Sequence, residues 1–356
     1  MLSPKEWLTV RIPEYFSAWM WQGFRQPRRF LAFLIIVPLA IVVIVTHRVN
    51  VTLARGQALQ HLGVTAQLAA EIVEETLEAT FRFERILMAQ PGFADAVQRG
   101  DQEPVSRHLA DTLPFIPRVD LAMVISPDGT VLAAYPDRTG LEGRSVADHD
   151  AFQGAKDRRR PYVSAVYLRE GPEIEKVVAV VHPILVGEKV VGLLQLQHRV
   201  EEVKLWLQKI RVEPGGFLYV VDHHDQLVVY PLQVLPGRPK VVSDWPTVRH
   251  PIAHDWETLT FTDVRQRQRW LAGVSPVGTT GWRVVAVQPE RAALQSLTRV
   301  FWTLSVLAGV LLALVVAISL RWAQLHAFSL RLLRQNAKLL KQMQQRQTLE
   351  RHKRTE

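Results

Sequence analysis

Apolar residues follow different spacings along the chain, and each spacing predicts a different kind of element. Two uninterrupted apolar runs, residues 30–46 and 300–320, contain no charged residue. As helices they would be roughly 26 and 31 Å long, against about 30 Å of hydrocarbon in a bilayer. Pro38, inside the first run, is tolerated in a membrane helix. The two runs therefore predict two transmembrane helices.

The first run could instead be a signal peptide, because it lies near the N-terminus. However, the segment that precedes it is long, and the residues that follow it, THRVN, offer no small-residue cleavage site. The sequence therefore favours an uncleaved membrane anchor over a signal peptide.

Between the two runs, apolar positions first recur every three or four residues, which predicts a long helix over 50–90. Its predicted apolar face comprises Leu62, Ala66, Ala69, Ile72, Leu77 and Phe81. Pro91-Gly92 ends the helix, and a shorter helical stretch then reaches about Leu113. From Val119 onwards, short β-branched segments alternate with turns, which predicts strands.

The predicted strands form two successive groups. The first comprises 119–126, 130–136, 162–168, 176–186 and 189–197, with a helix over 147–158; after a helix over 201–210, the second comprises 216–222, 226–231, 258–264, 267–277 and 281–289. The hairpin MVISPDGTVLAAYP (123–136) is similar to LYVVDHHDQLVVYP (218–231), which indicates an internal duplication unless the hairpins are alike by chance. The pattern predicts an α+β fold: a long N-terminal helix followed by two tandem antiparallel-sheet modules, flanked by the two membrane helices.

The net charge of +9 is distributed in a way that indicates a membrane topology. Residues 1–29 contain five Lys or Arg against two Glu, and residues 321–356 contain nine against two. Because the cytoplasmic flanks of membrane spans are enriched in Lys and Arg, we expect both termini in the cytoplasm and residues 48–299 outside, in the periplasm of a bacterial inner membrane. A nucleic-acid-binding function thereby loses its main support.

The composition excludes several kinds of chemistry. Without cysteine, the chain has no disulfide, no thiolate metal site and no cysteine nucleophile. The common nucleotide-binding, hydrolase and zinc-protease motifs do not occur, so we expect no catalytic residue and no cofactor. His223 and His224 lie in a hairpin turn between Asp222 and Asp225. Since adjacent side chains rarely chelate one ion from a strand, we expect a solvated turn and no metal site.

The order of these elements resembles a known family. The closest stretch runs from Gly143 to Pro231, through GRSVADHDAFQGAKDRRRPYVSAVYL, VVAVVHPILVGEKVVGLLQLQ and GGFLYVVDHHDQLVVYP. With the long helix, the resemblance to the double Cache extracytoplasmic sensor domain of histidine kinases and chemoreceptors covers about 48–299. It implies two PAS-like modules, a distal one at about 114–200 and a proximal one at about 211–290. In that family the distal module usually binds a small ligand.

The resemblance also implies where a ligand would bind. Amino-acid-binding members have an Arg-x-Trp-aromatic motif on the distal helix and an Asp on the last distal strand. Here the matching positions are His149 to Phe152 and Gln197, so only the aromatic residue agrees and an amino-acid ligand is in doubt. The candidate ligand-binding residues are His149, Phe152, Tyr162, Ser164, Tyr167, His182 and Gln197. For each of them, a purely structural role is the alternative.

The C-terminal segment, 321–356, contains no Gly or Pro, and its heptad spacing predicts a cytoplasmic helix. Such a helix can form the coiled coil of a homodimer or lie on anionic lipid. We therefore expect a non-enzymatic membrane receptor that acts on a cytoplasmic partner. Two alternatives stay open, namely a scaffold that binds another protein through its outer domain, and the sensor fragment of a larger histidine kinase or diguanylate cyclase.

Overall fold

A computed structural model describes residues 27–137, 140–169, 174–212, 215–230, 237–263 and 267–353. The predicted segment 1–29 lies almost entirely outside the described residues. The chain divides into two units, one made of residues 1–52 with 296–356 and the other of residues 53–295.

The described residues of the first unit belong to two long helices, and the sequence of each helix continues into the second unit. They are α1 (Pro27–Met88) and α7 (Glu290–Lys353). Each contains a window long and apolar enough to cross a membrane, and in these windows almost no side chain is buried. Within this unit, the rings of His47 and Phe301 lie 4.5 Å apart. The apolar windows overlap the runs that the sequence predicts as membrane spans.

In the second unit, α1 contributes one buried apolar stripe to the core. Leu62, Ala66, Ala69 and Leu77 are almost fully buried, as their spacing predicts. Ile72, however, is 38% exposed, and Val73 takes its place in the core. At 3.6 residues per turn, position 73 continues the stripe through 62, 66 and 69 better than position 72 does.

The distal sheet follows α1 in the chain. Its strands are β1 (Leu121–Ile125), β2 (Val131–Tyr135), β3 (Tyr162–Val163), β4 (Tyr167–Arg169), β5 (Glu175–Val186) and β6 (Lys189–Arg199). They are antiparallel in the order β2-β1-β6-β5-β3, and β4 also pairs with β5. The helices α2 (Phe93–Arg99), α3 (Gln102–Thr112) and α4 (Asp150–Arg158), and the 3-10 turn Leu113–Phe115, accompany this sheet.

The proximal sheet repeats the same arrangement. Its strands are β7 (Phe217–Val221), β8 (Leu227–Val229), β9 (Glu257–Asp263), β10 (Gln268–Pro276) and β11 (Arg283–Pro289). The order is β8-β7-β11-β10-β9, with α5 (Val200–Leu207) before the sheet and α6 (Pro246–Arg249) in the position of α4. The described residues thus confirm the predicted α+β fold, a long helix followed by two antiparallel sheets of matching topology.

Backbone hydrogen bonds in the leading hairpins support the internal duplication. Ser126 N–H donates to Thr130 O in the distal hairpin, and Asp222 N–H donates to Gln226 O in the proximal one. Each hairpin has a register shift at the strand residue before the turn. Two copies of one turn therefore begin the two modules.

The predicted single strand over 162–168 is wrong. The structure has two short strands there, separated by Ser164, Ala165 and Val166. Ala165 N–H donates to Asp150 Oδ2 at 2.8 Å, and Val166 N–H donates to Asp222 Oδ2 at 2.8 Å. Because carboxylates take these two donors, the sheet ladder is interrupted at this point.

Close contact between α1 and the proximal sheet depends on Gly273 of β10. A Cβ atom at this position would lie 2.4 Å from the backbone of Leu62 and Gly63. We expect Gly273→Ala to lower the free energy of unfolding by about 1–3 kcal/mol, since the backbone atoms in its way cannot rotate aside. Thermal unfolding of the full chain in detergent measures the effect.

Gly56→Ala is the matched control, because an added Cβ in this exposed turn of α1 meets no atom within 4 Å. Alanine in a helix interior is expected to stabilise by up to about 1 kcal/mol relative to glycine. Equal effects of the two substitutions would contradict a close helix–sheet contact at Gly273.

Candidate functional site

The candidate site lies on the face of the distal sheet that α4 covers. Strand alternation places Leu193, Gln195 and Gln197 of β6 on this face. Leu193 belongs to the apolar cluster around α4, whereas Leu194 and Leu196 belong to the cluster on the other face. Two polar side chains thus extend an otherwise apolar surface.

Tyr167 of β4 is the centre of this polar region. Gln195 and Gln197, only 3% and 2% exposed, donate Nε2–H to Tyr167 Oη at 3.1 and 2.8 Å. The ring of His149, the residue that precedes α4, has its centroid 5.8 Å from that of Tyr167. Burial raises the pKa of Tyr167, so its hydroxyl stays protonated and keeps a proton to donate. We call His149, Tyr167, Gln195 and Gln197 the tyrosine cluster.

Arg169 borders the tyrosine cluster. Its guanidinium donates to Gln197 Oε1 at 3.2 Å and forms ion pairs with Asp120 and Glu175. Burial opposes the positive charge, but the two carboxylates outweigh it and raise the pKa of Arg169. Because two protein carboxylates already neutralise the charge of Arg169, a ligand carboxylate would have to compete with them for this side chain.

The other four predicted residues, Phe152, Ser164, His182 and Tyr162, lie elsewhere. Phe152 is a buried residue of α4 and lines a separate open cleft of about 480 Å³, between α4 and the β5–β6 turn. Ser164 is fully buried: its Oγ accepts from Ala179 N–H at 2.9 Å and donates to Ala165 O at 2.7 Å. Its contacts therefore serve the backbone of the interrupted strand.

His182 lies on the opposite face of the sheet, against α1. Its Nδ1 is 3.5 Å from Oε2 of Glu84, which is fully buried. Burial raises the pKa of Glu84 well above its ordinary value, and burial together with Arg85 lowers the pKa of His182 to about 4. His182 is therefore neutral near pH 7, and it does not join the tyrosine cluster.

Tyr162 lies at a junction between the two modules. Its hydroxyl donates to Asp150 Oδ1 at 2.9 Å and is 2.8 Å from Nε2 of His223, in the turn between β7 and β8. His223 Nε2 is also 3.5 Å from Asp150 Oδ2. Tyr162 thus connects the distal helix α4 with the proximal turn rather than with Tyr167.

The expectation that this turn is solvated is wrong for Asp222 and His223, whereas the side chain of His224 is half-exposed. Asp222 is fully buried and the side chain of His223 is 17% exposed. Burial raises the pKa of Asp222, against the lowering effect of N–H donors from Gln226, Val166 and His224. The start of the turn, Asp222 and His223, is shielded from solvent because it packs against α4 and the interrupted distal strand.

Sequence reasoning missed Gln195, Arg169 and Asp150. Gln195 could have been found, since it is two residues from Gln197 and alternation puts both on one face. Arg169 and Asp150 carry no such local signal, because Asp120 and His223, which they contact, lie far away in the sequence.

Comparison with solved structures finds the same fold in sensor domains. The ligand-binding domain of the amino acid chemoreceptor PctB of Pseudomonas aeruginosa PAO1, in complex with L-Gln, is 16% identical, with a TM-score of 0.52 over 65% of this chain and 91% of that chain. The ligand-binding domain of Mlp24 with asparagine is 13% identical, with a TM-score of 0.54 over 68% of this chain and 98% of that chain. The extracellular domain of the putative histidine kinase mmHK1S-Z3 is 16% identical, with a TM-score of 0.53 over 69% of this chain and 98% of that chain. A search of curated proteins returned no match.

Two tandem PAS-like sheet modules after a long helix define an α+β fold. The chain belongs to the Cache domain family, whose model matches residues 51–297. Two apolar helices flank this domain in the sequence. A Cache domain between such helices is consistent with a membrane receptor.

Asp150 provides a test of the junction through its pH dependence. Burial opposes its charge, but hydrogen bonds from His223, Ala165 N–H and Tyr162 lower the pKa of Asp150 from 3.8 to about 2. A depressed carboxyl pKa means that the ionised form stabilises the fold above about pH 4, and that this contribution is lost as the pH falls towards 2. We expect Asp150→Asn to cost about 1–2 kcal/mol near neutral pH, and much less near pH 2.

The measurement is thermal unfolding of the full chain in detergent, with a chelator present, over this pH range. Asp157→Asn, on the exposed side of α4, is the matched control and should have little effect at any pH. A cost for Asp150→Asn that does not change with pH would contradict the assignment.

Proposed function

We propose that the chain is a transmembrane receptor that senses a small extracytoplasmic ligand through its distal Cache module. The observation that carries the proposal is the tyrosine cluster. Buried amides cost free energy unless they are hydrogen-bonded, and an apolar face would pack the sheet without them. Polar groups that converge on an otherwise apolar surface are typical of a ligand site.

The cluster favours an uncharged polar ligand. The tyrosine hydroxyl and the two glutamine amides offer both donors and acceptors, and none of them carries a charge at neutral pH. Arg169 is already paired with Asp120 and Glu175, and the Arg-x-Trp pair of amino-acid-binding members is replaced here by His149 and Ala151. Tyr167 is only partly buried and His149 is exposed, so a ligand can approach from solvent.

Signal transmission requires that the ligand prefer one arrangement of the domain over another. Tyr167 lies one residue beyond Val166, whose N–H bonds to Asp222 of the proximal module. In our proposal, a ligand that displaces the glutamine amides from Tyr167 shifts β4 and with it this bond. The change then passes through the proximal module and the second membrane helix to a cytoplasmic output partner.

The proposal includes a topology with both termini in the cytoplasm and residues 48–299 in the periplasm of a bacterial inner membrane. The excess of Lys and Arg in 1–29 and 321–356 supports it. A homodimer, joined in part by the C-terminal helix, would give the signal a symmetric output. The output partner is a separate chain or a further domain, such as a histidine kinase or a cyclase.

The first test is a thermal-shift screen of the full chain in nanodiscs against a metabolite library, with a chelator present to remove metal ions. A ligand at about 100 times its Kd should stabilise the protein by about 2.7 kcal/mol. The shift should be largely lost in Gln197→Leu and Tyr167→Phe, because each removes a group that the ligand would contact.

Lys189→Gln is the control variant, because Lys189 lines the separate cleft at the β5–β6 turn. It should keep the full ligand-induced shift. If only Lys189→Gln loses the shift, the ligand binds in the cleft and the tyrosine cluster is not the site. If no small molecule stabilises the chain, the outer domain is better explained as a protein-binding module.

A further inference from the structure

Two modules contribute metal-ligand side chains to one point of the junction. Asp150 comes from α4 of the distal module, and His223 and His224 come from the β7–β8 turn of the proximal module. One carboxylate oxygen and one nitrogen from each histidine all lie within 4.8 Å of one another. His223 Nε2 is 3.5 Å from Asp150 Oδ2, and His224 Nε2 is 4.0 Å from Asp150 Oδ1.

We propose that Asp150, His223 and His224 form a binding site for a divalent transition-metal ion of the zinc type, which joins the distal and proximal modules. The proposal is independent of small-molecule sensing by the tyrosine cluster, because the two sites share no residue.

The donor set fits zinc. Two imidazoles and one carboxylate are ligands that Zn²⁺ accepts, with a fourth position left for water or another donor. Zinc–ligand bonds of about 2.0–2.1 Å in a tetrahedron place neighbouring donors about 3.3 Å apart. The two histidines lie 3.5 and 4.0 Å from the two carboxylate oxygens of Asp150, and all three donors lie within 4.8 Å of one another, so binding draws them together by at most about 1.5 Å.

The turn removes the usual objection to adjacent histidines as ligands. In a regular strand, consecutive side chains point to opposite faces. His223 and His224 are turn residues, with ring centroids 4.5 Å apart, and both reach the same carboxylate.

Neighbouring groups hold the ligands in position. Asp150 Oδ2 accepts from Ala165 N–H, and Asp222 Oδ1 accepts from His224 N–H at 2.8 Å, which fixes the start of the turn. Tyr162 Oη lies within hydrogen-bond distance of both Asp150 and His223. His224 is 51% exposed, which gives a hydrated ion a path to the site. Such supporting contacts are usual around metal ligands.

Nδ1 of His223 is buried and has no hydrogen-bond partner among the described residues. His223 Nε2 lies close to Tyr162 Oη and Asp150 Oδ2, so in the metal-free protein it carries a proton, and coordination through Nε2 requires that this proton leave or move to Nδ1. When the imidazole of His223 carries its proton on Nδ1, Nε2 has a free lone pair, which metal coordination requires.

The test uses the full chain in nanodiscs, purified without a histidine tag and stripped with a chelator. Zn²⁺ affinity is measured by competition with a chromophoric chelator, and Co²⁺ absorption reports a tetrahedral site with nitrogen and oxygen ligands. We expect one ion per chain in the wild type. His224→Ala and His223→Ala should weaken binding by at least about 100-fold, and Tyr162→Phe by about tenfold.

His254→Ala is the matched control. His254 is exposed and bonds a carboxylate, Glu257, away from the junction, so its loss should leave the affinity unchanged. His224 is half-exposed, so this variant stays informative even if Asp150→Asn or His223→Ala does not fold. Wild-type affinity in His224→Ala, absence of stoichiometric binding, or an equal loss in His254→Ala would each overturn the proposal.

Discussion

Two carboxylates satisfy the backbone N–H groups at the break in the distal edge strand, and the junction between the modules depends on them. A backbone donor that is buried without a partner costs as much as a lost hydrogen bond, and often more. Asp150 binds Ala165 N–H from within the distal module, and Asp222 binds Val166 N–H from the proximal module. The second bond ties the modules together at the point where β3 gives way to β4. Since Tyr167 is the next residue, the same constraint fixes the start of the strand that carries the centre of the tyrosine cluster.

The internal duplication explains how the proximal turn acquired this role. Ser126 and Asp222 occupy equivalent turn positions, and in each the side-chain oxygen accepts an N–H four residues on, from Thr130 or Gln226. A serine has only one oxygen for this purpose. Aspartate has a second, Oδ2, and that atom reaches across to Val166. One turn geometry therefore serves both modules, and the exchange of a hydroxyl for a carboxylate adds the contact between them.

Local pattern was enough to predict the architecture, but not the contacts made across long sequence distances. The hairpins, the long helix and the repeated order follow from turn chemistry and apolar spacing, which are properties of short segments. The break after Val163 depends on Asp150, 15 residues before Ala165, and on Asp222, 56 residues after Val166, so no short window contains that information. His182, a predicted ligand-binding residue, lies on the face opposite to the tyrosine cluster. Its strand, β5, is buried on both faces along much of its length, so the sequence does not show which face a given residue occupies.

The energetics of the tyrosine cluster argue that it is kept for more than stability. Two buried glutamines share one hydroxyl, while residues on the same face, such as Leu193, Met123 and Leu121, pack without any polar group. A net hydrogen bond contributes only about 1 kcal/mol, and replacing both partners by apolar groups of similar shape is often neutral. An apolar side chain at 195 or 197 would therefore complete the core at little cost. The amides provide hydrogen-bond donors and acceptors, which an apolar side chain lacks. These groups can bond to a ligand in place of Tyr167. The bonds to Tyr167 satisfy these amides in the free protein, so that a ligand replaces existing contacts instead of filling a costly unsatisfied site.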